Sequence, residues 1–195
     1  NGKILVGGAF AHFRDSAVPF GLVRLNADGT LDTGFREGST TGFNGTVYSI
    51  AVQPDRKILV GGGFSTLAGS PVPGNLVRLR ADGSLDTDFN SKLGSGFSDP
   101  VGEVLLQSDG KVLVRGQFGS FDGAPAPARV MRLLGDGSPD ASFNAKLGTG
   151  FNNPVYALAQ QSNGGILVGG YFTSVNGTTV PTDLVRLQNS GARSR

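Results

Sequence analysis

The chain has 195 residues, 38% of them hydrophobic, with 17 Lys and Arg against 15 Asp and Glu for a formal net charge of +2, one His and no Cys. That is enough apolar material for a domain with a substantial core, and it excludes disulfides and thiolate metal sites. No basic run is present of the kind that neutralises several phosphates in nucleic-acid binding, and no segment approaches the roughly 20 apolar residues of a membrane span.

From its N-terminus the chain opens on an apolar strand, Ile4-Leu5-Val6-Gly7-Gly8, that runs up to Phe10. The same phrase returns at residues 58–62 before Phe64, 112–116 before Phe118 and 166–170 before Phe172, at intervals of 54 residues without insertion or deletion. A repeat of that length with several short strands builds a stacked or circular architecture, in which function lies at the positions that differ between copies. The start at Asn1, without an initiator Met, reads as a fragment or processed product, compatible with a lost export signal.

A loop of constant length follows each of these strands, at residues 11–21, 65–75, 119–129 and 173–183. Next comes a strand of the type Leu22-Val23-Arg24-Leu25, copied at 76–79, 130–133 and 184–187. A tight turn, Ala27-Asp28-Gly29, Ala81-Asp82-Gly83 or Gly135-Asp136-Gly137, then leads to a predicted fourth strand from Leu31 to Phe35 or Leu85 to Phe89. Asp-Gly between two strand patterns is a strong hairpin signal. With a left-handed glycine closing the turn, Arg24 faces Asp32, Arg78 faces Asp86 and Arg132 faces Asp140, one cross-strand ion pair per unit. While partly exposed, such a pair contributes about 0.2–1 kcal/mol, and its larger value is in setting register. The repeated aspartates make poor calcium loops, because each turn offers two carboxylates where calcium takes six to eight oxygens.

The connection to the next unit carries Gly42-Phe43, Gly96-Phe97 or Gly150-Phe151, aromatic rings that suit a core plug better than a sugar platform, since Phe has no polar handle. It leads into the unit's first strand, residues 47–53 and 101–107, and a turn such as Pro54-Asp55. The second strand is apolar on both faces, as befits a strand buried between neighbouring sheets. No run has the length and 3.6-residue period of an amphipathic helix. Four antiparallel strands per unit with glycine turns describe the blade of an all-β β-propeller. The approximate blades are residues 1–46 (partial), 47–100, 101–154 and 155–195 (partial), in one repeat domain. The partial blades do not merge by simple strand sharing. A four-bladed ring, an oligomer closing a larger ring and an arc of a longer array all remain open.

The phrases Asp-Gly-Lys-Val-Leu-Val-x-Gly-x-Phe at 109–118 and Val-Met-Arg-Leu-x-x-Asp-Gly-Ser-x-Asp-x-x-Phe at 130–143 resemble the delta-60 repeat of large bacterial surface and secreted proteins. The resemblance covers nearly the whole chain and departs at Ser190-Gly191-Ala192-Arg193-Ser194-Arg195. It implies propeller blades and a scaffold, and carries no catalytic residues to transfer.

Catalytic side chains are scarce. His12 stands where the other loops have Thr66, Ser120 and Ser174, and neither a Cys nucleophile nor a Gly-x-Ser-x-Gly elbow is present. No metal or other cofactor is expected. The candidates for ligand contact are the divergent tips of the four long loops, His12, Arg14, Asp15, Asp122, Arg129, Asn176 and Asp183. Each loop keeps an apolar third residue: Phe13, Leu67, Phe121 or Val175. Equal length with divergent tips fits a set of binding loops, and it also fits drift on a solvated surface. Tyr48, Tyr156 and Tyr171 join the list. Tyr48 and Tyr156 share one position of the first strand, where the intervening unit has Gly102, and would face a central channel or the neighbouring blade. Two Asn-x-Thr triplets, at Asn44 and Asn176, are set aside as chance matches.

The expected function is a non-enzymatic extracellular or cell-surface module that binds a protein or glycan through these loops. The alternatives are a propeller lyase or hydrolase with its site at the channel mouth, and a self-assembling architectural protein, with homo-oligomer closure of the ring open in each case.

Overall fold

In a computed structural model, described over residues 2–35, 41–181 and 183–194, the four units form four successive antiparallel sheets. The first contains β1 (Ile4–Gly7), the small pair β2 (His12–Phe13) and β3 (Ser16–Ala17), and β4 (Leu22–Leu25). The second has β5 (Val47–Val52), β6 (Ile58–Gly62), β7 (Thr66–Leu67), β8 (Ser70–Pro71), β9 (Leu76–Leu79) and the helix α1 (Thr87–Lys92). The third repeats this as β10 (Val101–Leu106), β11 (Val112–Gly116), β12 (Ser120–Phe121), β13 (Ala124–Pro125), β14 (Val130–Leu133) and α2 (Ala141–Leu147). The fourth has β15 (Val155–Gln160), β16 (Ile166–Gly170), β17 (Ser174–Val175), β18 (Thr178–Thr179) and β19 (Leu184–Leu187).

Each later blade is a three-stranded sheet, in the order β5-β6-β9, β10-β11-β14 and β15-β16-β19, and among the described residues of the first unit β1 pairs with β4. The predicted fourth strand shrinks to one bridge, Leu25 with Leu31, Leu79 with Leu85, Leu133 with Pro139 or Leu187 with Arg193. Where strand was expected up to Phe89, the chain turns into α1, and the corresponding segment of the next unit becomes α2, which also corrects the expectation of no helix. The cause is local. Asp140 is the helix N-cap and accepts a hydrogen bond from the Phe143 N–H. Phe89 and Leu93, like Phe143 and Leu147, fall four residues apart on one buried face. Asn90 and Asn144 each bond the N–H and C=O of Arg78 and Arg132 through their side-chain amides, so the helix is stitched to the neighbouring strand.

The hydrophobic core divides into three clusters, each lying between consecutive blades. Leu22 joins Phe43, Ile58 and Val60 at the first junction. Leu59 and Leu76 join Phe97, Val101 and Val112 at the second. Leu113 and Val130 join Phe151, Val155 and Ile166 at the third. The Gly-Phe rings are core plugs, packed on the Phe that ends the second strand: Phe43 on Phe64 at 4.3 Å, Phe97 on Phe118 at 4.5 Å and Phe151 on Phe172 at 4.7 Å between centroids.

The Arg–Asp pairs form as the spacing predicts, Arg24 with Asp32 at 2.6 Å, Arg78 with Asp86 at 2.8 Å and Arg132 with Asp140 at 2.8 Å. They are more buried than expected, with Arg132 only 2% exposed. The same guanidinium lies over the first helical Phe, 4.0 Å from the Phe89 ring centroid for Arg78 and 3.9 Å from that of Phe143 for Arg132. Its Nη1 then crosses to the next blade, donating from Arg24 to the Ala81 carbonyl, from Arg78 to Gly135 at 2.8 Å and from Arg132 to Asn189 at 2.7 Å. One side chain therefore fixes hairpin register, helix position and blade stacking.

These carboxylates titrate low. Burial alone would raise Asp140, but hydrogen bonds from Ser142, the Phe143 N–H and Arg132 outweigh it and hold the group below its ordinary 3.8. Asp86 is held low in the same way by Lys57 and Arg78, and Asp32 chiefly by Lys3. A depressed folded-state pKa contributes stability that is complete above the unfolded value and is lost as pH falls through the folded one. Urea unfolding between about pH 2 and pH 7 is therefore expected to show a plateau above about pH 4 and a steep loss below it. An unchanged midpoint down to about pH 2 would contradict the assignment of these pairs as a stabilising device.

Candidate functional site

The innermost strands β5, β10 and β15 each carry a register shift against their neighbour, between Val47 and Ser49, Val101 and Glu103, and Val155 and Ala157. The extra residue at each bulge is unpaired in the ladder and re-aimed. Those residues are Tyr48, Gly102 and Tyr156. Tyr48 is 55% exposed and Tyr156 62%. Between them lies a groove of about 880 Å³, lined by both tyrosines, Gly102, Arg115, Gln117 and Arg129 with the backbone around Pro100 and Pro154.

Arg115 occupies the space over Gly102, where an added Cβ would come within 2.6 Å of its Nη1. Its Nε donates to Glu103 Oε2 at 2.9 Å. The same carboxylate oxygen accepts from the Leu158 N–H at 3.3 Å, as Ser49 Oγ accepts from the Val104 N–H at 2.9 Å one blade earlier. Arg129 is anchored to the wall, its backbone left-handed at φ 71° and its Nη1 donating to the Phe151 carbonyl at 2.6 Å. Asn75 performs that role one blade earlier, toward Phe97 at 2.8 Å. The result is two exposed aromatic rings flanking a polar floor with two guanidinium groups and one carboxylate.

Of the residues expected from the sequence, the structure gathers Tyr48, Tyr156 and Arg129 in this groove and scatters the rest. Each long loop is a short hairpin, β2–β3, β7–β8, β12–β13 or β17–β18. In the third and fourth, Asp122-Gly123 and Asn176-Gly177 have positive φ throughout, the type I′ geometry that two-residue hairpins favour. Asp122 is turned to structural use, its Oδ1 accepting from the Ser95 N–H at 2.9 Å, and Asn176 accepts likewise from Thr149 at 3.2 Å. His12, Arg14 and Asp15 are exposed on the first hairpin, with Arg14 5.5 Å from the Phe13 ring. Asp183 contributes its carbonyl to the Gly170 N–H at 2.9 Å, and Tyr171, 70% exposed, lies outside the groove lining. Of the apolar third residues, Leu67, Phe121 and Val175 are buried and Phe13 is half-buried.

Arg115 and Gln117 are the groove residues that sequence reasoning missed. Their signal was present. Arg115 replaces the glycine of the other three units, Gly7, Gly61 and Gly169, and Gln117 stands where they have Ala9, Gly63 and Tyr171.

Among the described residues no group of three or more His, Cys, Asp or Glu is placed to hold a metal ion. No curated protein is similar enough to match the chain. The profile of a β-propeller domain of unknown function does match, at residues 1–35, 53–89, 107–143 and 161–193. Each match covers the second and third strands, the first three also take in the Arg–Asp hairpin, and the bulged inner strands with Tyr48, Gly102 and Tyr156 lie between matches. These four matches take in well over half of the residues, and the chain belongs to the DUF5122 β-propeller family.

Proposed function

We propose that this propeller is a non-enzymatic, extracellular binding module, and that its ligand is an acidic glycan held in the groove between Tyr48 and Tyr156. The observation that carries the reading is the pair of exposed tyrosines at matching bulges, separated by a glycine and floored by Arg115 and Arg129. A tyrosine presents an apolar face for a sugar ring and a hydroxyl for its polar rim, and a guanidinium matches a carboxylate in a planar, bidentate way. The ligand site thereby moves from the hairpin tips, whose Asp122 and Asn176 are spent on internal hydrogen bonds, to the inner face. The paucity of His and Cys in the sequence supports a role without catalysis, and the resemblance to the delta-60 repeat of surface and secreted proteins supports the extracellular setting.

The test is a glycan array of neutral and acidic sugars followed by titration calorimetry of the hits. Binding to uronate- or sialate-type sugars is expected, with Tyr48→Ala and Tyr156→Ala each weakening it about tenfold, roughly 1.4 kcal/mol. Absence of any acidic glycan ligand, or unchanged affinity in both variants, sinks the proposal.

A further inference from the structure

The third blade departs from its neighbours at three matched positions of the groove. Where the second blade has Tyr48, Ser49 and Gly61, and the fourth has Tyr156, Ala157 and Gly169, the third has Gly102, Glu103 and Arg115. The three exchanges depend on one another. Arg115 lays its Nη1 over Gly102, where any Cβ would come within 2.6 Å of it, so a tyrosine at 102 and the guanidinium exclude each other. Glu103 takes the Arg115 Nε–H at 2.9 Å and also keeps the duty of Ser49, accepting an N–H of the following inner strand. The second blade has no room for the same arginine. An added Cβ at Gly61 would come within 2.6 Å of Val101 and 2.9 Å of Val104.

Arginine brings five N–H donors, and here only the Nε–H is used. Among the described residues neither Nη of Arg115 has a protein acceptor, and Nη1 lies over the middle of the three inner strands, between the two exposed tyrosines. A paired Nη edge is shaped to hold one carboxylate through two parallel hydrogen bonds. The charge of the groove sets the same limit. Two guanidinium groups, Arg115 and Arg129, against the one Glu103 carboxylate leave a single net positive charge. A second ligand carboxylate beside Arg115 would face Glu103 without a partner, which makes Glu103 a repulsive element against it.

We infer that Gly102, Glu103 and Arg115 are the specificity element of the groove and that they select an internal acidic sugar. One uronate-type residue is held by Arg115 over Gly102, with a neutral sugar on each side against Tyr48 and Tyr156. The inference rests on the reading of the groove as an acidic-glycan site. It narrows that ligand to polysaccharides in which carboxylate-bearing and neutral residues alternate, against sugars acidic at every residue or only at the chain end. Glu103 acts through Arg115, as a positioning residue.

The direct probe is a trisaccharide of glucuronate flanked by N-acetylglucosamine on both sides, titrated calorimetrically into the intact protein. Beside it stand the same trisaccharide with its carboxyl reduced to the alcohol, trigalacturonate and sialyllactose. The first is expected to bind about tenfold more tightly than each of the others. In Glu103→Gln the preference over trigalacturonate should shrink while the preference over the reduced trisaccharide stays, a split that a merely structural role would not produce. The triple variant Gly102→Tyr, Glu103→Ser and Arg115→Gly carries the second blade's own residues. It should keep the parent melting temperature and bind the acidic and reduced trisaccharides alike. Trigalacturonate or sialyllactose bound as tightly as the first trisaccharide overturns the inference and leaves an acidic-glycan site standing. So does an unchanged preference over trigalacturonate in Glu103→Gln, or a triple variant that still prefers the acidic trisaccharide. No binding of any acidic probe overturns both readings.

Discussion

Replacing Asp140 with alanine is expected to cost about 3–5 kcal/mol, the range seen when one partner of a buried ion pair is removed. Arg132 is 2% exposed and Asp140 5%, so the variant strands a guanidinium with no water to take the place of the carboxylate. It also deletes the N-cap of α2, with its hydrogen bond from the Phe143 N–H, which adds about 1 kcal/mol. What remains around Arg132 is the Phe143 ring and the Gln107 and Asn189 oxygens, none of which carries a charge. For a domain with about 5–15 kcal/mol in hand this is a large fraction of the whole. The control is Glu103→Gln, which weakens an ion pair whose side chains are 22% and 26% exposed, and there the loss is expected to stay below about 1 kcal/mol. Urea unfolding of both variants separates the cases, and similar midpoints would show that burial of the Arg132 pair has little energetic consequence.

Gly150→Ala is expected to destabilise by about 3 kcal/mol, combining left-handed strain with overpacking against backbone. Its φ is +80°, and a Cβ there would sit 2.2 Å from the Ala128 nitrogen and 2.4 Å from the Ala128 oxygen. The two residues form a parallel bridge that ties the connection between blades to the preceding loop. Neither side of this contact is a flexible side chain, so relief requires moving main chain and with it the Phe151 plug. Gly123→Ala isolates the conformational part, because φ is +72° but nothing lies within 4 Å of the added Cβ, and about 1 kcal/mol is expected. Equal losses at the two positions, read from urea or thermal unfolding, would mean that the close approach at Ala128 is relaxed at no cost.

Local chemistry with a short reach is legible in the residues. The 54-residue period locates every blade, and the eight-residue spacing from Arg24 to Asp32 is enough to place each ion pair. The Gly-Phe phrases read as plugs, and each ring is packed on another. The helices are not legible. Each spans only six or seven residues, too short for a periodic signal, and a helix of that length is held by burial of Phe and Leu and by the Asn90 and Asn144 bonds to the neighbouring strand, with the Asp140 cap added in α2, not by its own propensity. The hairpin tips mislead for a related reason. Asp122 and Asn176 look like free polar tips along the chain, and only the fold brings them against Ser95 and Thr149.

By itself the sequence determined the repeat, the order of the three strands that form in each later unit and the pairing of Arg with Asp, because hydrophobic alternation, turn glycines and cross-strand neighbours act over a few residues. Tertiary structure decided how deeply those ion pairs are buried, since the covering groups come from the next blade, 57 residues on from Arg78 and Arg132. It also decided which side chains share the inner groove. Tyr48, Arg115 and Tyr156 belong to three different blades, and only the stacking of bulged inner strands, with Gly102 between the two rings, brings them around one groove.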